Sequence, residues 1–149
     1  MRRVLFTTMA LTGVIAVAVA GSSLAAGRAT VKTRHGELGT FLVDGKGRTL
    51  YLFEKDKTKK STCSGACAQA WPPLLTSGKP KAAGKAKASL LGTTKRSDGK
   101  TQVTYKGHPL YYFFQDKKAG DTTGEGIDGF GAEWYVLAPS GKKIEDEEG

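Results

Sequence analysis

Val43–Asp56, read as VDGKGRTLYLFEKD, decides the fold, because the chain carries it again as Val103–Asp116, VTYKGHPLYYFFQD. Each position of the second copy lies 60 after its counterpart, and Val, Lys-Gly, Leu-Tyr, Phe and the closing Asp match without a gap. A unit of this size cannot bury its apolar face alone, so two copies imply two supersecondary units packed together. Side chains alternate along a strand, so Tyr51 and Phe53 share one face while Leu50 and Leu52 share the other. The same parity sets Tyr111 and Phe113 against Leu110, Tyr112 and Phe114. Both faces are apolar, and each strand is expected to be covered on both sides. Asp56 and Asp116 fall just past the strand, where a carboxylate accepts backbone N–H groups.

Helical periodicity is nearly absent around these copies. Short runs rich in β-branched and aromatic residues predict strands at Thr30–Thr33, Gly39–Val43, Thr49–Phe53, Gly92–Arg96, Gln102–Tyr105, Leu110–Phe114 and Trp134–Leu137. Glycines in Asp44–Gly47, Ser97–Lys100 and Tyr105–His108 supply hairpin turns. The expected fold is mainly β. It is a small antiparallel domain of two related hairpin-containing halves, with repeat units at about 39–60 and 99–120 and one short helix at Ser64–Ala70. A further turn is expected near Ala88–Leu91. Between the halves, Ser77–Ala88 (SGKPKAAGKAKA) reads as a flexible Lys/Ala/Gly loop, and the acidic tail 142–149 is expected to fray.

The N-terminus has the three parts of a secretory signal: Arg2 and Arg3, the apolar run Val4–Ala20, then small residues. Residues 1–25 are read as a signal peptide cut after Ala25, with Ala20 as the alternative. No cysteine lies near either site to carry a lipid, so no stable membrane anchor remains after cleavage. Residues 26–149 suffice for one domain, secreted or associated with the periplasm or envelope. The net charge of +9 falls by two, to +7, when Arg2 and Arg3 leave. Lys79, Lys81, Lys85, Lys87, Lys95, Arg96 and Lys100 crowd one region. On an exported protein such a surface suggests anionic envelope polymers or polysaccharide, and no nucleic acid.

Several motifs could carry chemistry. Cys63 and Cys67 sit one helical turn apart, about 6 Å between Cα atoms, and export favours their oxidation to a structural disulfide. Thiol–disulfide exchange or electron transfer is the alternative, although its usual spacing is C-x-x-C. Gly124–Gly129 spells G-x-G-x-x-G but follows no buried strand and opens no helix, so dinucleotide binding is rejected. Asp121, Glu125 and Asp128 could meet Ca²⁺, without the EF-hand spacing. His108 beside a turn reads as a surface polar group, with metal or haem capture alongside Tyr or Asp as a further alternative. Trp71, ahead of Pro72-Pro73, is either core or a surface for stacking on a sugar. No catalytic residue, cofactor or metal site is assigned.

Gly39–Pro139 resembles a family of bacterial secreted proteins and lipoproteins with a repeated Y-x4-D, or Y-x-[FWY]-x-x-D, motif. The likeness runs through CSGACAQAWPPL (63–74), LLGTTKRSDGKTQVTYKGHPLYYF (90–113) and GDTTGEGIDGFGAEWYVL (120–137). It implies an exported envelope protein whose molecular activity is unassigned. Many members carry a lipobox cysteine and this chain has none, so tethering does not transfer. The reading that results is a non-enzymatic binding or structural module for anionic or polysaccharide surfaces. Its candidate contacts are Lys79, Lys81, Lys85, Lys87 and Trp71.

Overall fold

The computed structural model describes residues 27–145. The predicted signal peptide and the last four residues of the acidic tail lie outside them.

Strands β1 (Thr30–Gly36) and β2 (Gly39–Asp44) form one antiparallel hairpin, β5 (Leu91–Lys95) and β6 (Thr101–Tyr105) the other. After the first hairpin comes β3 (Tyr51–Phe53); after the second, the short β7 (His108–Pro109). The turn before β7 uses Lys106 and Gly107, both at positive φ (49° and 80°), as a two-residue hairpin loop requires. A helix α1 (Ala66–Ala70), two-residue strands β4 (Lys81–Ala82) and β8 (Asp128–Gly129), and β9 (Ala132–Val136) complete the described elements, apart from a 3-10 turn at Ala88–Leu90. Three small sheets result, ordered β2-β1-β4, β3-β9-β8 and β5-β6-β7.

The halves are strand-exchanged. β9, which follows the second copy, pairs with β3 of the first: Tyr51 faces Val136, Leu52 faces Tyr135 and Phe53 faces Trp134. The segment after α1 does the reciprocal thing. Tyr112 N–H donates to Pro72 O at 2.7 Å, Phe114 N–H to Ala70 O at 2.9 Å, and Leu74 N–H to Leu110 O at 2.9 Å. Here Leu110–Phe114, expected as a strand, makes only isolated bridges from Tyr111 to Tyr51 and Pro73. The reason lies in its partner: Pro72 and Pro73 have no N–H, so a regular ladder cannot form. At the centre the two repeats meet on their tyrosines. Tyr51 N–H donates to Tyr111 O at 2.8 Å and Tyr111 N–H returns to Tyr51 O at 3.0 Å, which marks a pseudo-twofold axis.

Strand parity sorts the core as expected. Tyr51, Phe53, Tyr111 and Phe113 join one buried cluster with Trp71 and Trp134; Leu50, Leu52 and Leu110 join a second with Val103, Tyr105 and Leu137. Phe114 departs from the pattern and is 47% exposed, because its strand ends there.

Two segments read as loose are held. β4 lies parallel to β1, with Lys81 N–H on Ala29 O and Ala83 N–H on Val31 O. Lys85 N–H then reaches Thr33 Oγ1, and Lys87 N–H reaches the Tyr105 hydroxyl. The open edge of β1 thus captures a sequence with no strand signal of its own. In the tail, Lys143 bridges Leu137, and Ile144 N–H donates to Val136 O at 2.7 Å while its side chain packs on the first cluster. Apolar Ile144 pins what composition alone marks as acidic and frayed.

Candidate functional site

The repeated tyrosines and aspartates come together across the repeats, not within them. The Tyr51 hydroxyl donates to Asp116 Oδ2 at 2.6 Å, and the Tyr111 hydroxyl to Asp56 Oδ2 at 2.6 Å. The other oxygen of each carboxylate is occupied as well. Asp56 Oδ1 accepts from Thr62 N–H and Oγ1, both at 2.7 Å; Asp116 Oδ1 accepts from Thr123 N–H at 3.0 Å and Oγ1 at 2.6 Å. Both aspartates are nearly enclosed, at 6% and 5% exposure. Burial first, and then the hydrogen bond to the partner aspartate, push both phenols far above their ordinary value. They stay neutral donors, and both aspartates are engaged by partners on each side. Two carboxylates serve acid–base chemistry when substrate can reach them; these are occupied in fixing the fold.

The aromatic rings repeat the same exchange. Phe53 stacks on Trp134 (3.9 Å between centroids), Trp134 on Trp71 (4.0 Å) and Trp71 on Phe113 (4.2 Å), a column whose rings alternate between repeats. Tyr51 meets Trp71 edge-on at 5.3 Å, and Tyr111 meets Trp134 edge-on at 5.1 Å. Such pairs add about 0.5–1.5 kcal/mol each beyond the area they bury. Trp71 is 2% exposed, so its place among the candidate surface contacts is corrected: it is core and offers no face to a sugar. The sequence did hold the signal for this pairing. Trp71 and Trp134 each stand three residues before a buried leucine, Leu74 and Leu137, and follow Asp56 and Asp116 by 15 and 18 residues.

Cys63 and Cys67 are joined, with Cα atoms 5.3 Å apart. Both lie buried in the ring cluster, and the Cys67 carbonyl accepts the Trp71 N–H at the end of α1, so the staple sets the position of Trp71. Arg96, itself buried, donates to Cys63 O at 2.7 Å, Gln102 Oε1 at 2.7 Å and Ser61 Oγ at 3.0 Å. Ser61 Oγ lies 2.7 Å from the Tyr111 hydroxyl. The second half thereby grips the disulfide loop of the first through Arg96, which removes that arginine from the exposed basic group.

Other candidates are spent on backbone. Asp121 Oδ2 accepts the Lys117 and Lys118 N–H groups, and Glu125 Oε2 accepts that of Val136. Among the described residues no three His, Cys, Asp or Glu side chains gather as a metal site. Gly124 of the G-x-G-x-x-G string serves a close approach: a Cβ there would meet Trp71 at 2.8 Å and Tyr51 at 3.0 Å. His108 is half-buried; burial, and secondarily Lys106, hold its pKa below the ordinary value against the pull of Glu54 and Asp56. Lys79, Lys81, Lys85 and Lys87 are all exposed.

A mainly β, disulfide-stapled tandem of strand-exchanged repeats defines the class of protein. A family model described as a secreted repeat of unknown function matches residues 32–75 and 92–138, together more than half of the chain. The chain belongs to that family of secreted repeats, and its localisation is accordingly extracellular or envelope. Each matched repeat is longer than the units at 39–60 and 99–120, taking in the preceding hairpin and the following Trp strand. No curated protein and no solved structure matches the chain.

Proposed function

We propose that this secreted protein is a non-enzymatic binding module that docks on acidic polysaccharide of the cell envelope through the edge carrying Lys79, Lys81, Lys85 and Lys87. Its leader, on this reading, is removed at the predicted signal cleavage site. The supporting observation is the way the lysine segment is held. Four backbone anchors, on Ala29, Val31, Thr33 and Tyr105, fix the chain between Lys81 and Lys87 while every lysine side chain stays in solvent. A fixed backbone lowers the entropy cost of presenting several charges to one polymer. No acidic residue interrupts 77–88, so the attraction is undiluted along the segment. Lys79 and Lys81 alternate with Pro80 along the chain and stand roughly 7 Å apart, as i and i+2 of an extended segment.

Exposed charges are screened over about 8 Å at physiological salt, so binding should weaken steeply as salt rises. Replacing Lys79, Lys81, Lys85 and Lys87 together with Gln should lower the affinity for immobilised polygalacturonate on the order of 10- to 100-fold at low salt. Retention equal to that of the parent protein would remove the proposal.

A further inference from the structure

A cleft of about 810 Å³ is lined by Leu52, Glu54, Lys106, His108, Lys143 and Ile144, with 141–142 and Glu145 completing it. Its size falls in the range of small-ligand sites. Its charges are divided in a way that selects a ligand. Lys143 Nζ is already paired, to Glu54 at 3.0 Å and Glu145 at 2.6 Å, and lies over the Tyr135 ring. Lys106 and Lys142 are exposed, and neither ammonium has an ion-pair or hydrogen-bond partner among the described residues. The cleft therefore holds two unpaired cations beside a Lys143–Glu54–Glu145 cluster with one net negative charge, over an apolar floor at Ile144. The Tyr105 hydroxyl connects this cleft to the lysine edge. It accepts from Lys87 N–H at 2.9 Å and donates to Pro139 O at 2.5 Å, so the end of the edge adjoins the segment that carries Lys142.

We propose that this cleft binds one or two acidic sugar units, with Lys106 and Lys142 on the carboxylate, His108 and Glu54 on hydroxyls, and the half-buried Ile144 under the apolar face of a ring. The inference takes its ligand class from the polysaccharide reading above but rests on different residues. A sugar ring has an apolar face and a rim of hydroxyls, which matches an apolar floor walled by donors and acceptors. The anionic group supplies what the two lysines lack. A neutral sugar would leave both ammonium groups without a counter-charge and should bind far more weakly.

Titration calorimetry on the full chain with trigalacturonate and with neutral galactotriose tests this. The acidic trisaccharide should bind and shift the His108 imidazole resonances, and K106Q/K142Q should weaken it at least roughly tenfold. All six replaced lysines, here and at the lysine edge, are exposed, so unchanged thermal unfolding of each variant establishes that the fold is kept. The K79Q/K81Q/K85Q/K87Q protein should keep trisaccharide binding while losing polymer retention. If that variant retains polymer normally while K106Q/K142Q still loses the trisaccharide, the edge reading fails and the cleft stands. Absence of trigalacturonate binding, equal binding of the neutral sugar, or an unaffected K106Q/K142Q protein would overturn the cleft assignment.

Discussion

Two tyrosines and two aspartates hold this protein at its smallest scale, and each hydroxyl serves the other repeat's carboxylate. Removing one hydroxyl leaves a buried carboxylate oxygen short of its donor, which costs about 1.5–3 kcal/mol for a charge-assisted bond. Each hydroxyl also has a second partner, since Tyr51→Phe strips the buried Gly124 N–H of its acceptor and Tyr111→Phe strips Ser61 Oγ of a neighbour, so the two variants should lose similar stability in urea unfolding. Alkaline pH should act through the same groups. Tyr51, Tyr111 and Tyr112 have folded-state pKa values raised above 10, so above pH 10 the unfolded chain releases protons that the native one keeps. Their stabilisation is whole below that pH and is lost as pH rises, at about 1.4 kcal/mol per pH unit per tyrosine. A stability flat between pH 10 and 11.5 would contradict their burial. At Gly124, a methyl group would press on two rigid rings, and Gly124→Ala should cost about 1–3 kcal/mol by overpacking.

Among the elements, legibility followed whether the deciding interaction was local. Strand parity, the hairpin glycines and the i, i+4 cysteines depend on neighbours in sequence, and the hairpins at Ser97–Lys100 and Tyr105–His108 and the Cys63–Cys67 bond stand where they were expected. Asp44–Gly47 instead leads only to an isolated bridge from Val43 to Thr49, and the β1–β2 hairpin turns between Gly36 and Gly39. The strand role of 70–75 was hidden because Pro72 and Pro73 erase half of its ladder, although Trp71 and Leu74 mirror Trp134 and Leu137. Composition made Ser77–Ala88 a loop, and only the free edge of β1, a tertiary fact, turns part of it into a strand. The partners of Asp56 and Asp116 were illegible for the same reason: turn chemistry predicts backbone donors, and a hydroxyl 55 or 65 residues away leaves no local trace. The disulfide carries its own prediction. Its short loop contributes about 2 kcal/mol by chain entropy, and its buried sulfurs are shielded from an attacking thiolate. A reduction potential below about −300 mV should mark it as structural; a value near those of exchange catalysts would favour the thiol–disulfide alternative.

For the whole molecule, strand exchange makes the halves interdependent. Each half ends in a Trp segment hydrogen-bonded to the other half, β9 as a strand on β3 and 70–75 through isolated bridges, so neither has a complete core of its own. A chain cut by a protease site placed at the exposed Ser77–Lys79 turn should keep its halves together through size exclusion and melt in one transition. The interlock also explains how so small a secreted domain can present a fixed lysine edge and cleft: the ring column and the staple supply the rigidity behind them. The most direct test is a pair of double-mutant cycles measured by denaturant unfolding at neutral pH. Tyr51→Phe with Asp116→Asn should couple by about 1–3 kcal/mol, whereas Tyr51→Phe with Asp56→Asn should be additive within about 0.5 kcal/mol. Coupling between Tyr51 and Asp56, with none between Tyr51 and Asp116, would show each repeat closing on itself and would contradict the exchange.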